Sequence, residues 1–348
     1  MADGGNGLTG SRVLLTLASL VVVVAGLQAA AVFLKPFLVS AFLAVLSLPL
    51  LAAFRRWRLP TWASVLLTMS AVVLVVAGLA ALVGGSVTGF IDAAPRYSAR
   101  LETLARGAES WLSRHGVDVR QWMSIDAVNP GVLFDFIGGS ITAVASALSN
   151  VVMVLLTMAF ILLEAAGFPE KLAAALGHEA ADFGRLRRIT GEVQRYLAIK
   201  TLTSLATAVL ITLWLLVLGV DFPLLWGLTA FVMNFIPTLG SILAAVPAIL
   251  LAAVQHGPAN ALLVMLGYVA VNMVIGNIVE PQLMGRRLGL SPLVVFLSLV
   301  FWGWVWGPVG MLLSVPLTMI VKIMLEHTDD LRWIAILLDA SPPARSRG

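Results

Sequence analysis

FPLLWGLTAFVMNFIPTLGSILAAVPAILLAAV, residues 222–254, is apolar from end to end, yet Pro237-Thr238-Leu239-Gly240 stands in its middle. As one helix it would run about 50 Å, far beyond the ~30 Å hydrocarbon core of a bilayer. Each half, Leu224–Ile236 or Ser241–Val254, is about 20 Å long and too short to cross alone. Ser291–Val321 repeats the plan around Gly307-Pro308-Val309-Gly310. Each stretch is either one broken, tilted span or a re-entrant helical hairpin that enters and leaves on the same side.

The surrounding composition puts these stretches in a membrane. Of 348 residues, 60% are hydrophobic and 11% charged. A soluble domain carries roughly 25% charged residues because water must hydrate its surface. From Thr201 to Val321 the charged residues are Asp221, Glu280, Arg286 and Arg287. These numbers exclude a soluble enzyme, a nucleic-acid binder and a disordered scaffold. The pI of 9.8 reflects a net charge of +4 spread over short loops, which reads as topology and gives no cause to expect a nucleic-acid partner. The lipid bilayer is the expected partner surface. With no Cys, there is neither a disulfide nor a thiolate metal site.

Six further runs read as crossings: Val13–Leu34, Phe37–Phe54, Thr61–Ile91, Ile141–Leu163, Thr201–Val220 and Asn260–Ile278. Lys35-Pro36 makes the first two a tight helical pair. Arg55, Arg56 and Arg58 put the second connection in the cytoplasm, and with it the N-terminus. The segment 92–140 is then external, and 164–200, with Lys171, Arg185, Arg187, Arg188, Arg195 and Lys200, internal. If both broken stretches were full spans, Arg286-Arg287 would lie outside, against the short-loop charge bias. If the first is a hairpin, the pair is cytoplasmic, so charge favours hairpins. The C-terminus is cytoplasmic either way. The expected fold is all-α: a polytopic helical membrane protein with six crossings plus two re-entrant hairpins, eight hydrophobic segments in all.

The chain therefore divides into a three-span region (1–91), an external helical segment (92–140), a fourth span (141–163), a cytoplasmic amphipathic segment (164–200), a transport core (201–325) and a cytoplasmic tail (326–348). In the external segment Leu101, Leu104, Ala105, Ala108, Trp111 and Leu112 fall at helical spacing. The basic helix around Arg185–Tyr196 suits anionic lipid.

Backbone that leaves a helix at membrane depth is tolerated where protein buries it or water reaches it, and freed helix ends then supply polar groups to a ligand. Pro237 and Pro308 break the two stretches, and Gly240, Gly307 and Gly310 permit close backbone approach. Thr238 and Ser241 bring hydroxyls, and Asn234 an amide, to the first break. Asn272, Asn277 and Glu280 are spaced to share roughly one face of a helix. Glu280 is either a proton or cation site on a transport path or a headgroup-level residue paired with Arg286 or Arg287. Trp302, Trp304 and Trp306 approach the second break, with Trp304 counted among the candidate binding residues. The four His residues have no ligand spacing, so no metal site is expected. There is no phosphate-binding glycine loop, and no cofactor or enzymatic activity is expected.

The ordered elements Asn234-Phe235-Ile236-Pro237-Thr238-Leu239-Gly240-Ser241, Val246-Pro247-Ala248, Glu280-Pro281-Gln282-Leu283-Met284-Gly285, Leu290-Ser291-Pro292-Leu293, Trp306-Gly307-Pro308-Val309-Gly310-Met311 and Val315-Pro316-Leu317 resemble the autoinducer-2 exporter family of bacterial permeases. Ser241 stands where many members carry Pro, and Trp306-Gly307 where the family has Phe-Gly. The resemblance covers essentially the whole chain. It implies a bacterial inner-membrane homopentamer whose protomers export a small polar molecule such as the autoinducer-2 quorum-sensing signal, with two hairpins forming the site and an elevator-like motion. Some relatives are assigned sodium or lithium/proton antiport, which is the alternative. A non-transport membrane scaffold is a third reading.

Overall fold

The computed structural model describes residues 6–115, 151–176, 180–237, 239–284, 290–326 and 332–339. Among them there is no strand. Twelve α-helices follow in order: α1 Asn6–Ala29, α2 Ala31–Arg56, α3 Thr61–Arg114, α4 Val151–Leu176, α5 Ala180–Val217, α6 Pro223–Met233, α7 Leu239–His256, α8 Pro258–Val274, α9 Glu280–Met284, α10 Pro292–Trp306, α11 Pro308–Glu326 and α12 Arg332–Leu338. A π-turn, Ile275–Val279, joins α8 to α9 without a break.

Among the described residues, six helical runs are long and apolar enough to cross a bilayer: Ala31–Arg56, Thr61–Ala93, Gly191–Val217, Leu239–His256, Pro258–Met284 and Pro308–Glu326. Helices α1 and α4, of 24 and 26 residues, carry the described parts of the first and fourth runs read from the sequence, residues 141–150 lying outside the described residues; the second halves of both broken stretches also reach crossing length. The breaks are off-centre, so a short helix of 11 or 15 residues precedes one of 18 or 19. Segment 92–140 begins as a direct continuation of α3, with Pro95 inside the helix, and its residues 116–140 lie outside the described residues.

The chain forms two compact units. One comprises residues 46–152 and 178–288. Its frame is α5, and the contacts along α5 fix the course of the chain. Gly227 of α6 sits directly on Ala208 and Thr212, and Asn234, just past α6, reaches Ser204. Successive contacts thus step back down α5, so α6 runs antiparallel to it. At the far end the Asp221 N–H donates to Gln255 Oε1 at 3.1 Å, which brings the end of α7 back to the start of α6. Then α8 descends α5 again: Asn260 Nδ2 donates to Leu218 O (3.3 Å), Trp214 Nε1 to Leu263 O (3.1 Å), and Lys200 meets Glu280 at the other end. Leu218 to Lys200 spans about 27 Å of helix, close to one hydrocarbon thickness.

Lipid gives no hydrophobic drive for helix association, so close approach at small residues does the work. Gly227 lets α6 settle on Ala208 and Thr212, and Gly267 lets α8 settle on the Trp214 indole. The core gathers Trp226, Ile211, Leu215, Ala248 and Val264, all essentially fully buried.

The other unit comprises residues 1–45, 153–177 and 289–348. In it α10 and α11 pack against each other, joined by Gly307 alone. Trp302 stacks on Trp306 with ring centroids 4.9 Å apart. Their indole N–H groups donate to Thr318 Oγ1 and Leu27 O, both at 3.0 Å. Helix α12 closes the opposite end of the pair: Ser291 N–H donates to Leu338 O (3.1 Å) and the buried Lys322 ammonium meets Asp339 Oδ2 (3.1 Å). The start of α10 and the end of α11 therefore lie at the same end.

Candidate functional site

Both breaks are closed by one device. Gly240, in the first turn of α7, lies directly on the carbonyl of Met233 at the end of α6. Gly310, in the first turn of α11, lies directly on the carbonyl of Trp302 near the end of α10. Any Cβ at either position would enter that carbonyl, so the two turns require glycine there. Gly307 adds a second constraint: at φ 67°, ψ −144° it ends α10 in a region that L side chains rarely adopt. Pro308 then starts α11 at a position where its missing N–H costs nothing.

At the first break the chain turns through Asn234–Ile236, with Asn234 N–H donating to Ala230 O (2.9 Å) and Ile236 N–H to Met233 O (2.8 Å). Pro237 and Ser241 are half-buried. Thr238 lies outside the described residues, as do Arg286 and Arg287. The Asn234 amide donates to Ser204 Oγ at 2.9 Å, which ties this turn to α5.

Ser204 belongs to a polar stripe that the sequence reading did not single out. Lys200, Thr203, Ser204 and Thr207 are all buried, and their spacing puts them on one face of α5. The Lys200 ammonium lies 2.8 Å from Glu280 Oε1 and 3.0 Å from Oε2, and Thr203 Oγ1 lies 3.4 Å from Oε2. Glu280 is therefore paired across the helix interface with Lys200; Arg286 and Arg287, the partners named in the headgroup-level alternative, lie outside the described residues. The recognisable signal was the polar spacing Lys-x-x-Thr-Ser-x-x-Thr at the mouth of an otherwise apolar run.

The common face expected for Asn272, Asn277 and Glu280 does not form. Val264, Tyr268 and Ile275 mark the buried side of α8. In a regular helix Val279 would follow Ile275 on that side. The π-turn inserts one residue, with the Glu280 N–H donating to Ile275 O, and so delivers Glu280 to α5 in its place. Asn277 is left exposed, while the Asn272 carboxamide folds over Gly276. Trp304 is 65% exposed on the side of α10 away from Trp302 and Trp306, whose burial and hydrogen bonds give them a packing role.

An open cavity of about 350 Å³ lies among α3, α5 and α6, walled by residues such as Leu82, Leu205, Leu224 and Phe231. Its lining is apolar except for Thr212, so it offers little to a polar molecule.

At the start of α6 a closed ring of hydrogen bonds joins three helices. Tyr97 Oη donates to Asp221 Oδ2 (2.6 Å), Gln255 Nε2 donates to Tyr97 Oη (3.1 Å), and Trp226 Nε1 donates to Asp221 O (3.0 Å). Burial, then the bond to Asp221, pushes the Tyr97 phenol up from 10.0 to about 12. Phe222 beside it adopts a left-handed conformation at φ 59°, and its ring packs on Gly89.

Two closed breaks, a polar stripe on the supporting helix and a buried ion pair are features of a membrane transporter, and the comparison with known proteins agrees. The sequence profile described as AI-2E family transporter matches residues 17–330. The chain belongs to the AI-2E transporter family. It is a multi-pass membrane protein of the transporter and permease class. It is similar to "AI-2 transport protein TqsA" of Escherichia coli K12, 39% identical over 331 residues that cover 95% of this chain and 96% of that one. It is also similar to "Putative transport protein YhhT" of the same organism, 35% identical over 335 residues and 96% of each chain. Of these two names, the first specifies a cargo and the second does not.

Proposed function

We propose that this protein is a secondary transporter of the bacterial inner membrane that exports a small polar organic molecule of the autoinducer-2 kind. Each helix pair, α6–α7 and α10–α11, acts as a re-entrant hairpin that carries cargo by an elevator-like motion within a homopentamer. The carrying observation is the shared tip plan, in which Gly240 and Gly310 each close a break on a carbonyl of the preceding helix. A break closed that tightly can move as a unit, with polar groups held at membrane depth. Asn234, Pro237, Thr238, Gly240 and Ser241 form the first tip, and Gly307, Pro308 and Gly310 the second. Asn272, Asn277 and Trp304 line the path only if the helices rearrange during transport.

The cargo class follows from the 39% identity to a relative named for AI-2 transport. The test is efflux of autoinducer-2 from loaded vesicles containing the purified protein. Wild type releases it faster than protein-free vesicles, and Asn234→Ala lowers the rate while membrane insertion persists. Release equal to that of empty vesicles overturns the cargo; unchanged flux in Asn234→Ala overturns the role of the first tip.

A further inference from the structure

We propose that Glu280 and Lys200 form a proton-binding site buried between α5 and the end of the α8–α9 helix, and that its occupancy couples transport to the pH gradient. Lys200 acts as the site's own cation when the proton is absent. This rests on the transport reading above, and adds to it the source of the driving force.

Both residues lie in helices of crossing length, Gly191–Val217 and Pro258–Met284. Their side chains are 7% and 16% exposed. Ionisable groups are costly in a membrane, and where they persist they usually mark an ion or proton pathway. The position is also built by an irregular feature: the π-turn, a form common at functional sites, places Glu280 against α5 where a regular helix would place Val279. Two ionisable side chains of α5 face Glu280 among the described residues, the Lys200 ammonium and the buried Tyr196 phenol one turn earlier. The π-turn contributes none, and α8 carries only Tyr268, well up the helix.

The step is a protonation. An O–H bond forms at a Glu280 carboxylate oxygen, the ammonium keeps its three protons, and the site passes from net zero charge to +1. The neutral pair suits a low-dielectric setting, whereas the freed ammonium must find another acceptor. The nearest turn of the same stripe holds Ser204, the acceptor for the Asn234 amide at the first tip. Lys200 and Ser204 are four residues apart on one face of α5, so the released ammonium competes for the oxygen that anchors the tip. Proton uptake at Glu280 thereby loosens the Asn234 contact, which links the gradient to the moving part.

Two measurements test this. Infrared difference spectra of the protein in lipid, recorded as pH is lowered, should show the C=O stretch of a protonated carboxyl that is missing in Glu280→Gln. In Lys200→Met the pH dependence of that band should change, because the carboxylate loses the ammonium it is paired with. No Glu280 band, or a midpoint indifferent to Lys200, overturns the site. In vesicles loaded with autoinducer-2, an imposed pH gradient should raise wild-type flux about tenfold, within the usual range of coupling between sites. In Lys200→Met/Glu280→Gln, which leaves no unpaired charge, the ratio of flux with and without the gradient should fall to one. A ratio that survives in this variant overturns the coupling, and so does a sodium gradient at equal pH that reproduces the wild-type stimulation. If wild type releases no autoinducer-2 in any condition, the export reading falls and the infrared band alone decides the site.

Discussion

Gly240 and Gly310 are each pressed against a carbonyl, while Gly84, in the same kind of apolar helical setting, has nothing within 4 Å of where a Cβ would stand. The three therefore separate packing from propensity. Gly240→Ala and Gly310→Ala should each destabilise the protein by about 1–3 kcal/mol, because backbone must shift to admit the methyl group. Gly84→Ala should be neutral or slightly stabilising, since alanine is the better helix former. Thermal unfolding in detergent reads all three, and equal melting temperatures for Gly84→Ala and Gly310→Ala would contradict the closure of the second tip. These glycines were visible in the sequence, because Pro and Gly leave few alternatives in an apolar run. Lys200 was not, since its partner is 80 residues away and nothing local to either residue announces the other. Trp304 was chosen over its neighbours for the same reason: only the packing of α1 against α10 decides which side of the helix is buried.

At the scale of elements, the π-turn decides what α8 and α9 present to α5. Removing one residue from it, by deletion of Asn277, should restore regular helix and leave Glu280 four positions after Ile275, still facing Lys200. The infrared carboxyl band should then keep its dependence on Lys200; loss of that dependence would contradict the register described here. Pro281, which cannot donate to the carbonyl of residue 277, marks the end of this turn, but spacing alone pointed to a continuous helical face that the structure lacks. The ring at the start of α6 makes a separate prediction. Tyr97 titrates near 12 in the folded protein against an ordinary 10.0, so the folded state favours its protonated form. Its contribution is complete below pH 10 and is lost as pH climbs to about 12, with a slope of up to about 1.4 kcal/mol per pH unit. Tyr97→Phe should remove that slope from chemical unfolding measured between pH 9 and 12 (roughly the window that brackets both values). An identical pH profile in wild type and variant would mean that the ring contributes nothing to stability.

Across the whole molecule, the scarcity of charge and the two overlong apolar stretches made the membrane class and the positions of the breaks readable in advance. What they left open was how unequal the halves are. The first break follows an 11-residue helix and precedes one of 18 residues, long enough by itself to be taken for a crossing. Contacts along α5 add what length does not give: Asp221 meets Gln255 at one end and Asn234 meets Ser204 towards the other, so α7 ends beside the start of α6. Side-selective labelling tests that course most directly, and the natural absence of Cys makes it clean. Single Cys residues at His256, exposed at the end of α7, and at Arg287, beyond α9, would be labelled in intact cells with a membrane-impermeant thiol reagent. A re-entrant α6–α7 pair predicts that His256→Cys labels from outside and Arg287→Cys does not; the reverse pattern would mean that the stretch crosses the membrane once and is not a hairpin.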